Sequence, residues 1–138
     1  MAIYTAGAST MKYLTDRDVE LVEVARELIR GRFKEGFHHI GAALRTASGN
    51  LCLGIHVEGH VGRVAVCAEA IAIGNAALIG DTEIDTIVAV AEMGRIVPPC
   101  GMCRELISDY SPNANAILQD DVHVNALEIV PVRLLLPK

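Results

Sequence analysis

The sequence is poor in aromatic residues and contains no tryptophan. Phenylalanine, tyrosine and tryptophan together make up 4% of its 138 residues. Proteins that bind single-stranded nucleic acids stack the bases on aromatic side chains, and this chain offers few of them. Its lysines and arginines are not clustered, and its formal net charge is −5. Because a phosphate backbone is bound by basic surfaces, the composition argues against a nucleic-acid ligand.

Long apolar runs are absent as well. No segment reaches the roughly 20 apolar residues that a membrane-spanning helix requires, which argues against a membrane partner. The N-terminus has no basic region followed by an apolar stretch, so no signal peptide is predicted. We therefore expect a cytoplasmic protein, because its cysteines fit metal binding in a reducing compartment better than disulfide formation.

Apolar residues are abundant for a chain of this size. They make up 51% of the sequence, whereas charged residues make up 21%. The length predicts a single domain covering residues 1–138. In a small domain this composition favours a homo-oligomer with a buried subunit interface, and a large internal core is the alternative.

Hydrophobic periodicity predicts alternating helices and strands. The predicted helices cover residues 16–30, 66–79 and 100–110. The predicted strands cover residues 40–46, 51–57, 86–91 and 116–118, while residues 129–136 form either a strand or a helix. The first two strands form a hairpin around residues 47–50, and strands separated by single helices indicate some parallel pairing. The fold class is therefore α/β, with a mixed sheet that has helices on both faces.

Two of the helices have more specific patterns. In the first helix Thr15 is the predicted N-cap, Asp18 completes a capping box, and Gly31 marks the end. Its predicted buried stripe consists of Val19, Val22, Ala25, Leu28 and Ile29. The helix over residues 66–79 is apolar nearly all round, which predicts burial on more than one side.

Two short motifs predict one metal centre, Cys67-Ala68-Glu69 and Pro98-Pro99-Cys100-Gly101-Met102-Cys103. Catalytic zinc sites have three protein ligands and an open fourth position, whereas structural sites have four ligands. Cys67, Cys100 and Cys103 supply three ligands, and Cys52 lies in an apolar alternating segment typical of a core. A redox pair and a structural zinc site are the alternatives, but a redox pair explains neither Cys67 nor Glu69.

Glu69 is the predicted catalytic residue. It follows Cys67 by two positions and has apolar neighbours, where an ionised carboxylate without a function would be costly. Zinc lowers the pKa of water toward neutrality, and a carboxylate beside it can transfer protons. The combined pattern, C-x-E followed by P-C-x-x-C, is typical of zinc-dependent deaminases. It predicts hydrolytic deamination, in which water adds to an amidine-like carbon and ammonia leaves.

The sequence resembles the small cytidine deaminases, a family that includes blasticidin S deaminase-like members. The resemblance is carried by Gly41-Ala42-Ala43-Leu44, Val57-Glu58, Cys67-Ala68-Glu69, Pro99-Cys100-Gly101-x-Cys103-Arg104 and Leu135-Leu136-Pro137. It implies a three-layer α/β/α sandwich with a mixed sheet of about five strands, one zinc ion per subunit and a homotetramer.

The same resemblance implies a substrate class. Cytidine or deoxycytidine would be converted to uridine or deoxyuridine and ammonia, a reaction of pyrimidine salvage. Deamination of a related aminated heterocycle such as blasticidin S is the alternative, and an inactive zinc-stabilised scaffold is a remote one. The residues implied to contact the substrate are Glu58, His56, His38 and Ala68.

Three positions depart from the family pattern. His56 replaces an asparagine that binds ribose, and His38 replaces an aromatic residue, so a weaker contact with ribose is expected. Ala70 replaces an arginine that would donate a hydrogen bond to a cysteine sulfur. Arg104 or the N-termini of the two helices are then expected to compensate the charge of three thiolates.

Overall fold

The computed structural model describes residues 14–120 and 127–135. Within these ranges the helices are α1 (Asp16–Arg32), α2 (Ala68–Leu78) and α3 (Gly101–Tyr110). The strands are β1 (Ile40–Thr46), β2 (Leu51–Ile55), β3 (Ile84–Ala91), β4 (Ile96–Val97), β5 (Asn115–Asp120) and β6 (Leu127–Pro131). Short 3₁₀ turns cover Gly62–Val64, Glu92–Gly94 and Val132–Leu134.

The strands form one mixed sheet. Its order is β2-β1-β3-β5-β6, and β4 pairs with β3. The pair β3 and β5 is parallel, and the other paired strands are antiparallel. The hairpin predicted around residues 47–50 is confirmed, with Leu44 opposite Cys52. The sequence pattern misses β4 because two residues are too few to show an alternation.

Neighbouring side chains of the sheet point to opposite faces, as the period of two in a strand requires. Ala43, Val88 and Val90 pack against the buried side of α1. Ala42 and Leu44 pack on the other face, in the cluster that includes residues of α2 and α3. The predicted three-layer α/β/α sandwich is therefore confirmed.

The first helix begins as predicted but buries a different stripe. Asp18 N–H donates to Thr15 Oγ1 at 3.2 Å, and Thr15 N–H donates to Asp18 Oδ2 at 2.9 Å, which completes the capping box. The predicted burial of Val19 is wrong, because this residue is 46% exposed and Leu21 is buried instead. Each residue advances about 100° around a helix, so Val19 lies off the buried face that Asp18 and Leu21 share. The helix also continues past Gly31 to Arg32.

The second helix is buried along one face in the single chain. Its buried residues are Ala68, Glu69, Ala72, Ile73 and Ala76. Leu78, at its C-terminal end, is 84% exposed, and the following Ile79 is 57% exposed. The predicted burial on more than one side is therefore not found within one chain.

The C-terminal segment combines the two alternatives left open by its sequence. Pro131 ends β6, and a 3₁₀ turn follows directly over Val132–Leu134. Proline has no N–H to contribute to a sheet, which explains why the strand stops there. Among the described residues, no helix is both long and apolar enough to cross a membrane.

Candidate active site

Strand ends at one edge of the sheet bring the predicted site segments together. Ile40, at the start of β1, pairs with Ala91 at the end of β3. The N–H of His56, just after β2, donates to the Ile40 carbonyl oxygen at 2.9 Å. An isolated bridge between Val57 and Val66, with N···O distances of 3.1 and 2.8 Å, then joins this segment to the start of α2.

The three predicted zinc ligands converge at the first turns of two helices. Cys67 is the N-cap of α2, Cys100 is the N-cap of α3, and Cys103 lies in the first turn of α3. Their Sγ atoms all lie within 4.8 Å of one another, and the Sγ atoms of Cys67 and Cys100 are 3.4 Å apart. Cys52 is a buried core residue and is not part of this group.

The three sulfur atoms fit zinc. Zn–S bonds of about 2.3 Å in tetrahedral geometry place sulfur atoms about 3.8 Å apart, which is close to the spacing here. Among the described residues three sulfur ligands rather than four converge, which leaves one coordination position for water or substrate, as in catalytic zinc sites. The structure therefore supports the catalytic arrangement over the structural one.

The pKa values of the three thiols are shifted in different directions. Burial would raise the pKa of Cys100, but the backbone N–H of Cys103 and the neighbouring thiols lower it. Burial raises the pKa values of Cys67 and Cys103, and the nearby Glu69 carboxylate and neighbouring thiols raise them further. The N-terminus of α3 thus favours one thiolate only, and a metal ion would stabilise the other two.

Glu69 lies beside this group with only 5% of its surface exposed. Burial raises the pKa of its carboxyl, and the nearby Cys103 thiol partly offsets this by hydrogen bonding. A cavity of about 10 Å³ opens next to Glu69, between β3, β5 and Pro99. That volume is about the room that one water molecule requires, and it is far too small for a pyrimidine ring.

Arg104 does not donate to a cysteine sulfur in the described part of the chain. Its Nε donates to the Pro99 carbonyl oxygen at 2.9 Å, and its Nη1 donates to the Leu135 carbonyl oxygen at 3.2 Å. Arg104 therefore fixes the residues just before Cys100 against the C-terminal segment. Compensation of the thiolate charge by Arg104 or by the helix N-termini stays a prediction.

His38, His56 and Glu58 form a second group at the same edge of the sheet. The Nδ1 atom of His38 lies 2.8 Å from the His56 carbonyl oxygen, and His56 Nε2 lies 3.5 Å from Glu58 Oε2. Sequence reasoning missed a further member, His39, whose Nε2 lies 3.5 Å from Glu58 Oε1. The sequence gives no signal for His39 beyond its position next to His38. Strand register, which the sequence does not show, brings it to Glu58.

Ala68, the fourth predicted substrate contact, has a fully buried side chain. It is the first residue of α2 and packs against Gly54 of β2. In the described structure no surface of Ala68 is exposed to a ligand, so the implied substrate contact stays a prediction.

A further cluster of possible metal ligands, Glu35, His39 and Glu92, lies near the His56 group. The N–H of Gly36 donates to His39 Nε2 at 3.0 Å, so the lone pair of this ring nitrogen is already engaged. This cluster is therefore a poorer match to a metal site than the three cysteines.

Comparison with known proteins identifies the family. Residues 15–118 match the family model described as the cytidine and deoxycytidylate deaminase zinc-binding region. The chain is 44% identical over 131 residues to a blasticidin-S deaminase of Bacillus cereus, covering 87% of this chain and 94% of that protein. It is 31% identical over 97 residues to a cytidine deaminase of Halalkalibacterium halodurans, covering 67% of this chain and 74% of that protein.

Solved structures agree with the fold. The cytidine deaminase from Mycobacterium leprae superimposes with a TM-score of 0.76 at 22% identity, covering 91% of this chain and all of that one. The cytidine deaminase from Burkholderia pseudomallei gives 0.71 at 26% identity, covering 91% of this chain and 98% of that one. The matched zinc-binding region contains all three cysteines. The chain is thus a member of the cytidine and deoxycytidylate deaminase family and a zinc-dependent hydrolytic enzyme.

Proposed function

We propose that this protein deaminates the 4-amino group of a pyrimidine nucleoside by hydrolysis. The observation that carries this proposal is the placement of the nearly buried Glu69 carboxylate beside three converging cysteine sulfurs. Water and the aminated pyrimidine are the reactants, and the 4-oxo pyrimidine and ammonia are the products.

Cys67, Cys100 and Cys103 would hold the zinc ion. When bound, zinc supplies a Lewis acid that makes water a nucleophile at neutral pH. Glu69 accepts a proton from the attacking water and delivers it to the ring nitrogen next to the aminated carbon. A second proton passes from the new hydroxyl group to the amino group, the C–N bond breaks, and ammonia leaves.

Two substrates are candidates, and both present an aminated pyrimidine to the same centre. Cytidine and deoxycytidine follow from the family and from Glu58, whose carboxylate accepts a hydrogen bond from a sugar hydroxyl group. Blasticidin S is the second candidate, supported by the higher identity and coverage of the blasticidin-S deaminase. The replacements at His56 and Ala70 point the same way, because both depart from the cytidine deaminase pattern.

A substrate panel separates these candidates. The zinc-loaded protein is incubated with cytidine, deoxycytidine, cytosine and blasticidin S, and each reaction is followed by ultraviolet absorbance and ammonia release. We expect nucleosides to react faster than free cytosine, because a site built to bind a hydroxyl group rejects ligands that lack it. Ammonia release from none of the four would contradict the proposal and favour an inactive zinc-stabilised scaffold.

We further propose a cytoplasmic homotetramer. Leu78 and Ile79 expose apolar side chains at the end of α2, and Met102 in the first turn of α3 is 81% exposed. Contact with further copies of the chain would cover these apolar residues.

A further inference from the structure

The ring of His56 is held in one tautomer by its surroundings. The backbone N–H of His39 lies 3.0 Å from His56 Nδ1. A backbone N–H can only donate, so Nδ1 must be the acceptor and cannot carry a proton. A neutral imidazole has a single N–H, and in His56 it is therefore on Nε2.

The protonated nitrogen of His56 faces Glu58. His56 Nε2 and Glu58 Oε2 are 3.5 Å apart, which is longer than a full hydrogen bond of about 2.7–3.2 Å. Hydrogen bonds in enzyme sites are often long before substrate binds and shorten in the complex. A small rotation of either side chain would bring this N–H into a full hydrogen bond with the carboxylate.

The second imidazole near Glu58 has the opposite arrangement. His39 Nε2 lies 3.5 Å from Glu58 Oε1, but it also accepts a hydrogen bond from Gly36 N–H at 3.0 Å. In its neutral form His39 therefore carries its proton on Nδ1 and turns a lone pair toward Glu58. Of the two rings, His56 is the one that offers the carboxylate a donor.

His38 fixes the backbone of His56. Its Nδ1 lies 2.8 Å from the His56 carbonyl oxygen, which can only accept, so His38 carries its proton on Nδ1. His56 is thus held by a backbone donor at its ring and a side-chain donor at its carbonyl group. Both contacts leave the Nε2–H free to point at Glu58.

We infer that His56 is a positioning residue, which acts by holding the Glu58 carboxylate with its Nε2–H rather than by contacting the substrate itself. With Oε2 held by His56, Oε1 is the oxygen left to accept a hydrogen bond from a hydroxyl group. The inference rests on the proposed function only in assigning Glu58 to the substrate. The arrangement of protons on the three histidines is independent of any activity.

The proton arrangement is tested first, by long-range ¹H–¹⁵N correlation spectra of the zinc-loaded protein. At about pH 8 imidazoles are mostly neutral. We expect His56 in the Nε2–H form and both His38 and His39 in the Nδ1–H form, with each ring assigned from a single-residue variant. A proton on Nδ1 of His56 would overturn the inference, whether or not any substrate has been found.

Two variants of His56 then test the role of its N–H. His56→Gln can place an amide donor near the position of Nε2, whereas His56→Ala offers no donor and no ribose ligand. We expect His56→Ala to raise KM about tenfold with little change in kcat, the effect of losing one hydrogen bond to a charged group. His56→Gln should restore most of the affinity.

A double-mutant cycle separates positioning from direct contact. If His56 acts through Glu58, His56→Ala should add almost nothing to the effect of Glu58→Gln. If the His56 substitution caused the same loss of affinity in the original protein and in Glu58→Gln, His56 would contact the substrate directly and the inference would be overturned. His39→Asn is the matched control, since it removes the other imidazole but keeps the backbone N–H that holds His56 in its tautomer.

Discussion

Gly54 of β2 lies so close to Ala68 of α2 that a methyl group added to the glycine would overlap the Ala68 carbonyl oxygen. The same methyl group would lie 3.0 Å from the Cα of Ala72, one turn further along the helix. Helix α2 therefore packs directly on the backbone of β2. Since Cys67 and Glu69 flank Ala68, this close packing sets the position of one zinc ligand and of the predicted catalytic carboxylate.

Gly54→Ala should therefore weaken zinc binding as well as the fold. We expect a loss of about 1–3 kcal/mol in the free energy of unfolding, the usual cost of overpacking, and a fall in zinc content. Gly41→Ala is the control, because its methyl group would crowd α1 on the opposite face, 3.2 Å from Ile29 Cβ. It should lower stability while retaining zinc. Metal analysis showing equal zinc in both variants would contradict the role of Gly54.

The zinc centre could be predicted from sequence because its geometry is local. Each motif lies in the first turn of one helix, so spacing alone places Cys67 near Glu69 and Cys100 near Cys103. Whether the two helix starts meet depends on the fold. The two motifs already indicate that they do, because one supplies one ligand and the other supplies two ligands of the same site.

The partners of Arg104 and His56 could not be predicted in the same way. Arg104 donates to Leu135, which lies far along the chain, and His56 meets His39 through the register of β1 and β2. Neither contact leaves a periodic signal in the sequence. The burial of Leu21 in place of Val19 has a similar cause, since both residues are apolar and packing against the sheet decides between them.

Replacement of any of the three ligand cysteines by serine should remove most of the zinc. Two helix starts are joined at the metal, so the loss should also lower the free energy of unfolding. Cys52→Ala is the control, because Cys52 is buried in the core away from the other sulfurs. It should keep one zinc per chain while losing some stability. Elemental analysis in which Cys52→Ala loses zinc and Cys67→Ser keeps it would reverse the assignment.

Glu69→Gln should abolish most activity without removing the metal. The amide has nearly the same shape as the carboxylate but cannot accept and release the proton, so turnover should fall by about 10²–10⁴. Because burial disfavours the charged carboxylate, the neutral variant should be at least as stable as the original protein. Steady-state rates are compared at equal zinc content. Turnover at the original rate would exclude Glu69 as the proton carrier.

The capping residue Asp18 should make stability depend on pH. Burial opposes its ionisation, but hydrogen bonds from Thr15 and Arg45 outweigh this and lower its pKa. Since the pKa in the folded state is below the unfolded value of about 3.9, ionised Asp18 stabilises the fold above that pH. The contribution is lost as the pH falls through the folded-state pKa.

Asp18→Asn should accordingly lower the free energy of unfolding by about 1.5–3 kcal/mol at neutral pH, the range for hydrogen bonds to charged groups. The difference from the original protein should shrink as the pH approaches about 3. Urea denaturation of both proteins at several pH values measures this difference in the free energy of unfolding. Asp16→Asn is the control, because Asp16 is exposed in the same helical turn. A difference that stays constant across this range would show that the charge of Asp18 does not contribute.

The mass of the protein, and a substitution at the exposed apolar end of α2, test the proposed assembly. A single chain has a mass of 14.7 kDa, and light scattering should give about four times this value if the protein is a tetramer with dihedral symmetry.

Leu78→Glu places a charge on a side chain that is 84% exposed in one chain, so a monomer would tolerate it with little change in stability. In a tetramer that buries Leu78, the same charge should dissociate the subunits and lower the measured mass. Val19→Glu, on the solvent side of α1, is the control and should leave the mass unchanged. A mass of one chain for the original protein at micromolar concentration would rule out the assembly, and an unchanged mass for Leu78→Glu would place the interface elsewhere.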